Sequence, residues 1–511
     1  MSTTNHLTAE SIQHNTFRFA DGQFEQDRES TYFYTDDYFR HPATVLDPHL
    51  RTMSCVFCLA CFPSTEARNY ERVYRNAESL LQEIGFSDLS VNADYKKEPA
   101  RDTLGALVAH KIIRDGEEEV SLVVVGLRGA NYGDEWVANL VMGKEGPAEG
   151  FQQGMLAVKA FLDGYLEQMQ GRLAQKIKFW ITGFSRVAAT ANLLGAWIGR
   201  HAEAYRTSAE SIYVYTFETP TVASKEDRQS YPFIHNTINT HDLVTFMAPV
   251  SWGFQRYGAD DTCLPNMESE AFRESIDAVR ERARALNPDL EYDPLAFVPV
   301  FLSKRGIVRV NEPAAAGKLP RAIAWLHTAK MDEFLERFMD FMSRQIVHPE
   351  DGPEPSDADR RNRYCSDYQS AFAELAASYL GPTEEVRGQM RTAIVDLVTK
   401  DISLLRKLWI LMHFWHSTER SFRKIEQYLI TAMEKRMRTK TALGMGQEEL
   451  EAFFGAIEKV IYYFIKCASI DLRRHHFSYL PSLFLNLATF KFAHMPEVIF
   501  AWLQEMDSYY T

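Results

Sequence analysis

FWITGFSRVAATANLLGAWI, residues 179–198, passes from an apolar run (Phe179, Trp180, Ile181) through a tight turn (Gly183, Phe184, Ser185) into a helix rich in small residues (Ala188, Ala189, Ala191, Ala196). A strand that turns this sharply into a helix has two readings. Ser185 is either an N-cap or a nucleophile on an elbow that exposes its Oγ at the carboxyl edge of a sheet. In the second reading the backbone N–H of Arg186, at the helix start, points to where an oxyanion would develop. Gly183 and Ser185 fit the pattern G-x-S-x-G, while Val187 stands where the second glycine belongs. A valine there asks for a wider strand–helix approach, or for small neighbours such as Ala188 and Ala189.

Working outward, strand and helix signals alternate. Runs rich in Val and Ile at 106–113 and 120–127 flank the turn-like RDGEE and predict a hairpin. A helix over 151–170, a strand over 177–182 and further strands over 211–217 and 234–240 predict an α/β fold with a largely parallel, helix-covered sheet. Within VVVGLRGANYGDEWVANLVMG (123–143), Arg128 and Gly129 follow a strong strand, and Glu135 and Trp136 open a helix. A glycine turn there would let the N–H of Ala130 face the serine as a second oxyanion donor. Residues 1–30 read as a loosely structured lead-in, and Leu50 to Gly85 as helical. Beyond about 265 the strand signal fades. Helical patterns at 330–346, 364–380, 384–416, 419–438 and 447–467 surround a Pro- and acid-rich solvated loop at 349–360. Bulky stretches such as LRKLWILMHFW (405–415) read as bundle packing rather than as a membrane-binding face.

Composition narrows the function classes. The 511 residues carry a net charge of −13 and no long Lys/Arg run, so nucleic acid is not an expected partner. The first residues lack the basic start and apolar core of a secretory signal, and no apolar run approaches the roughly 20 residues of a membrane helix. A cytoplasmic protein without an integral membrane segment is expected. Cys55, Cys58 and Cys61 have the spacing of an iron–sulfur site, but the completing Cys-Pro is missing and the residues between are apolar. Three-residue spacing along one face of a buried helix is the preferred reading.

Five stretches, in order, resemble class 3 (fungal-type) lipases. Arg128-Gly129 with the downstream Glu135-Trp136 is similar to RGT...DW..DL. Glu149-Gly150-Phe151 is similar to HxGF, with Ala148 in place of the histidine. GFSRVAATANL resembles GHSLGGALA, YTFETPTVA (215–223) resembles YTFGAPRVG, and NTHDLVTFMAP (239–249) resembles N..D.VP.LPP. The resemblance covers about 105–260. The flanking regions resemble, more loosely, larger bacterial lipase-like proteins with GFSR elbows. The resemblance implies an α/β-hydrolase fold and gives Asp242 the role of triad acid, able to hold a histidine tautomer and stabilise imidazolium.

Triad order in this fold is Ser, Asp, His, so the base follows Asp242. Candidates are His327, His348, His413, His416, His475, His476 and His494. His494 is preferred because Pro496 and Glu497 suit the first turn of a closing helix, and the larger lipase-like proteins share an HxPE ending. His327 is the runner-up. With His494 as base, the chain divides into a lead-in (1–30), a hydrolase core (31–264), a helical insertion or cap (265–484) and a return to the core (485–511). The expected function is hydrolysis of carboxylic, lipid-like acyl esters through an acyl-enzyme, without metal or organic cofactor. Two alternatives stand beside it: the same chemistry on thioesters or amides, and an inactive hydrolase-like binding scaffold, favoured by Val187 and Ala148.

Overall fold

The computed structural model describes residues 12–21, 26–65, 71–97, 103–129, 146–227, 229–239, 242, 244–246, 253–262, 270–288, 290, 302–303, 306–307, 370 and 494–510. In chain order these form β1 (Gln13–Ala20), β2 (Asp27–Tyr34), α1 (Pro48–Ala60), α2 (Arg75–Glu83), β3 (Ser87–Val91), β4 (Ala106–Asp115), β5 (Glu118–Leu127) and α3 (Glu149–Gln168). There follow β6 (Ile177–Phe184), α4 (Arg186–Arg200), β7 (Ile212–Phe217), β8 (Ala223–Ser224), β9 (Ile234–Ile238), β10 (Phe254–Gln255), β11 (Ala259–Thr262) and α5 (Glu270–Leu286). β12 (Leu302–Ser303), β13 (Gly306–Ile307) and α6 (Pro496–Met506) complete the set.

Seven strands make one sheet in the order β11-β9-β7-β6-β5-β4-β3. The five from β5 to β11 run parallel, and β4 and β3 add antiparallel at one edge. Every residue of β6, β7 and β9 is buried, which an almost wholly apolar strand requires when helices cover both faces. Alternation along β6 shows the two layers. Trp180 and Thr182 face α1: the indole N–H of Trp180 donates to Ser54 Oγ at 2.8 Å, and Thr182 Oγ1 lies 2.8 Å from Cys58 Sγ. Gly183 faces α4. This is the α/β-hydrolase arrangement, a mostly parallel sheet between helical layers.

α1 begins at Asp47, whose carboxylate accepts the N–H groups of His49 and Leu50 ahead of Pro48 at the first helical position. It presses on β5 at Gly126, where a Cβ would come within 2.7 Å of Cys61 Sγ. Cys55, Cys58 and Cys61 are buried, free cysteines on this helix and at its end, and burial pushes the Cys58 thiol well up. Cys58 and Cys61 pack against the sheet, at Thr182 and Gly126.

The structure departs from expectation at the amino-terminal side. Part of the stretch read as a loose lead-in pairs as the antiparallel hairpin β1–β2, which buries Phe17, Phe19, Tyr32 and Tyr34. The single helical stretch expected over 50–85 is two helices, parted near Pro63. α5, which falls within the region assigned to the insertion and was not anticipated as a helix, packs against α6 through Asn287 Nδ2 to Glu497 Oε1 at 3.0 Å and through the Arg282–Glu505 ion pair. The helical patterns at 330–467, the loop at 349–360, Ala130, Glu135, Trp136 and His327 lie outside the described residues.

Candidate active site

Ser185 stands at the N-cap position of α4, but its side chain does not do the work of a cap. It has φ 60° and ψ −129°, and its side chain makes no capping hydrogen bond. A non-glycine residue there costs on the order of 1–3 kcal/mol and persists only where its surroundings impose it. Three features impose it. The Ser185 N–H donates to Phe217 O at 2.8 Å, extending the β6–β7 ladder one residue past β6. Its carbonyl accepts from Ala188 and Ala189, starting α4. Gly183 lets the first turn of α4 fold back, because a Cβ there would lie 2.7 Å from Val187 O.

Val187 is buried in the core, and α4 lies close on β7 at Gly195, where a Cβ would meet Val214 at 2.7 Å. Close strand–helix contact is therefore made both at the first turn, where Gly183 meets Val187 O, and two turns further on at Gly195. Asn192, also buried, fixes α4 sideways: its amide donates to Asn236 Oδ1 and to Tyr257 O, and its oxygen accepts the Tyr257 N–H.

Asp242 follows β9 by a short turn, its N–H donating to Asn239 O at 2.9 Å. One carboxylate oxygen, Oδ1, accepts the Val244 N–H at 2.9 Å. The other, Oδ2, lies 2.5 Å from Nδ1 of His494. Nε2 of His494 lies 2.7 Å from Ser185 Oγ. Asp242 is fully buried and His494 nearly so, while Ser185 is partly open. His494 stands one residue before the N-cap of α6, and its ring rests 5.5 Å from that of Phe184.

The structure thus brings together three of the residues picked from the sequence: Ser185, Asp242 and His494. Arg186 opens α4 as expected, and its guanidinium is buried and donates to Thr103 O at 3.2 Å. On the opposite lip, Arg128 binds Asp94 O, Tyr95 O and Lys97 O and anchors the chain leaving β5. Gly129 sits against the ring of Phe62, which a Cβ would strike at 2.2 Å. Ala130 lies just beyond, outside the described residues.

One site residue was not singled out by the sequence. Glu218, directly after β7, is fully buried, has φ 52°, and accepts the Asn239 N–H at 2.9 Å. Its carboxylate, that of Asp242 and a ring nitrogen of His494 lie within 4.8 Å of one another. They are the closest-set group of potential ligand side chains among the described residues, but both nitrogens of His494 are already engaged.

Residues 124–252 match the family model for class 3 lipases. Among solved structures the chain is similar to the Rhizomucor miehei triacylglyceride lipase, at 19% sequence identity over 43% of this chain and 83% of that one, with a TM-score of 0.30. No curated protein matches it. No described helix is long and apolar enough to cross a membrane. Sheet and elbow together give the core of this chain an α/β-hydrolase arrangement, within which residues 124–252 are similar to class 3 lipases.

Proposed function

We propose that the protein hydrolyses carboxylic esters of lipid-like acyl groups, with Ser185 as nucleophile, His494 as base and Asp242 as the acid that orients it. The observation that carries the reading is the continuous chain Ser185 Oγ–His494 Nε2 and His494 Nδ1–Asp242 Oδ2, built on a strained elbow. An unactivated hydroxyl is a poor nucleophile, and an imidazole in hydrogen-bond reach supplies the missing activation.

As Oγ bonds to the ester carbonyl carbon, its proton passes to His494 Nε2 and the C=O π pair becomes the oxyanion. Asp242 stabilises the imidazolium. The N–H groups of Arg186 and Ala130 are the proposed oxyanion donors, each worth about 3 kcal/mol of barrier. Collapse of the intermediate breaks the ester C–O bond, and His494 returns the proton to the leaving alkoxide. Water, deprotonated by the same histidine, then releases the acid and restores Ser185. The family match supports a lipid ester as substrate. The chain between acid and base, 265–484 in the division above, is proposed to supply a cap that shapes the acyl pocket, with α5 belonging to the core.

Labelling with a fluorophosphonate probe tests the reading. The wild-type protein is expected to label, with Ser185→Ala losing all labelling, and His494→Ala losing about 10³-fold or more in acylation rate. A folded wild type that does not label would overturn the hydrolase reading in favour of a binding scaffold.

A further inference from the structure

Glu218 occupies a place where its backbone argues for glycine. Its φ of 52° is in the left-handed region, which L side chains disfavour and glycine adopts freely. In the lipase pattern YTFGAPRVG, glycine stands at the matching position of YTFETPTVA. The backbone here is tied to β9 by Glu218 N–H to Thr237 O at 2.9 Å, and its carboxylate reaches on to the N–H of Asn239. Asn239 in turn receives the N–H of Asp242. A carboxylate placed in this way, fully buried at the end of the strand next to β9, faces the same imidazole as Asp242.

Resting on the proposed function, we infer that Glu218 is a positioning residue that gives His494 a second carboxylate, beside Asp242, to hold the imidazolium that forms as Ser185 is acylated. Two carboxylates this close repel when nothing positive lies between them. Proton transfer to His494 puts a cation beside both, so the interaction strengthens on the way to the intermediate, which is the condition for a contribution to kcat. The hydrogen bond to Asn239 meanwhile fixes the turn that carries Asp242.

Charge and hydrogen bond are separable by two substitutions. Glu218→Gln keeps the length and an acceptor oxygen for the Asn239 N–H but removes the charge. Glu218→Asp keeps the charge and shortens the arm. Turnover of p-nitrophenyl butyrate, normalised to sites titrated with the fluorophosphonate, is expected to fall about tenfold in kcat for Glu218→Gln at unchanged KM and thermal midpoint, with Glu218→Asp recovering part of the loss. In an Asp242→Asn background, Glu218→Gln is expected to cost more than it does alone, because the remaining carboxylate then carries the imidazolium unaided. The opposite order, with Glu218→Gln at wild-type kcat and Glu218→Asp impaired, would reduce Glu218 to a brace for the turn and overturn the inference. A wild type that fails to label fails the hydrolase reading itself, and that result is read before either variant is made.

Discussion

Gly183 shows how much of the elbow rests on one missing side chain. Its neighbours are backbone atoms of α4: Val187 O at 2.7 Å, Val187 C at 2.8 Å and Ala188 N at 2.9 Å from the place a Cβ would occupy. Backbone in the first turn of a buried helix has little room to retreat, so Gly183→Ala is expected to cost about 1–3 kcal/mol of stability. The same strain opens the turn and slows labelling of Ser185. Urea denaturation beside labelling kinetics checks both, and a variant as stable and reactive as wild type would contradict the packing argument. The serine and the first glycine were legible in GFSRV because an elbow needs those residue types in that order. The close contact at Gly195 was not, since it depends on how α4 lies on β7 and leaves no local signature. Glu218 carried a signal, an acid where the related pattern has glycine, but only the folded sheet shows what that acid faces.

At the scale of elements, α1 and the chain after α6 are joined through His49. Its Nδ1 lies 2.6 Å from Asp507 Oδ1, and its ring stacks on Tyr509 at 3.7 Å. Partial burial pulls the imidazole pKa down, but the hydrogen bond and charge of Asp507, with the charge of Asp47, outweigh it, and the net shift is upward from 6.5. A raised folded value means stabilisation that is complete below the unfolded pKa and lost as pH rises through the folded one. His49→Gln is therefore expected to lose more stability at about pH 5 than at about pH 8.5. Denaturation curves at the two pH values measure this, and equal losses would rule out the ion pair. Most elements were legible from periodicity: the β4–β5 hairpin, α3, β6, α4, β7 and β9 all lie within a few residues of expectation. The β1–β2 hairpin was missed because the first half of β1 is exposed and polar, leaving only Phe17-x-Phe19 and the following Asp21-Gly22 as a cue. The division of 50–85 was missed because apolar spacing carries on across Pro63 although the helix does not.

Across the whole molecule, α6 is the piece that closes the structure. It packs on α5 and α1, Phe500 meets Phe17 of β1 edge to face, and Trp502 is wholly buried. Trp502→Ala is expected to cost about 3–5 kcal/mol. Because His494 sits at the start of this helix, Ser185 should lose its reactivity in the same temperature range in which the helix detaches. Met506→Ala, on the exposed face of α6, should change neither property. Thermal melts followed by tryptophan fluorescence and by labelling test the coupling; reactivity outlasting the tryptophan transition would break it. The overall arrangement was legible because alternating strands and helices leave few topologies once crossovers are right-handed. The pairing of α5 with α6 was not legible, since contact between distant helices depends on surfaces that a linear pattern does not order.

The spacing of the three site residues along the chain also sets an order in time. His494 follows Ser185 by 309 residues and Asp242 by 252. At about 5–20 residues per second, a ribosome makes the serine roughly 15–60 s before the histidine exists. Through that interval the growing polypeptide can shape its sheet and its elbow, but the imidazole assigned as base in the proposed function is not yet present. On the proposed function, a chain still in synthesis is therefore unreactive toward esters until α6 has been made.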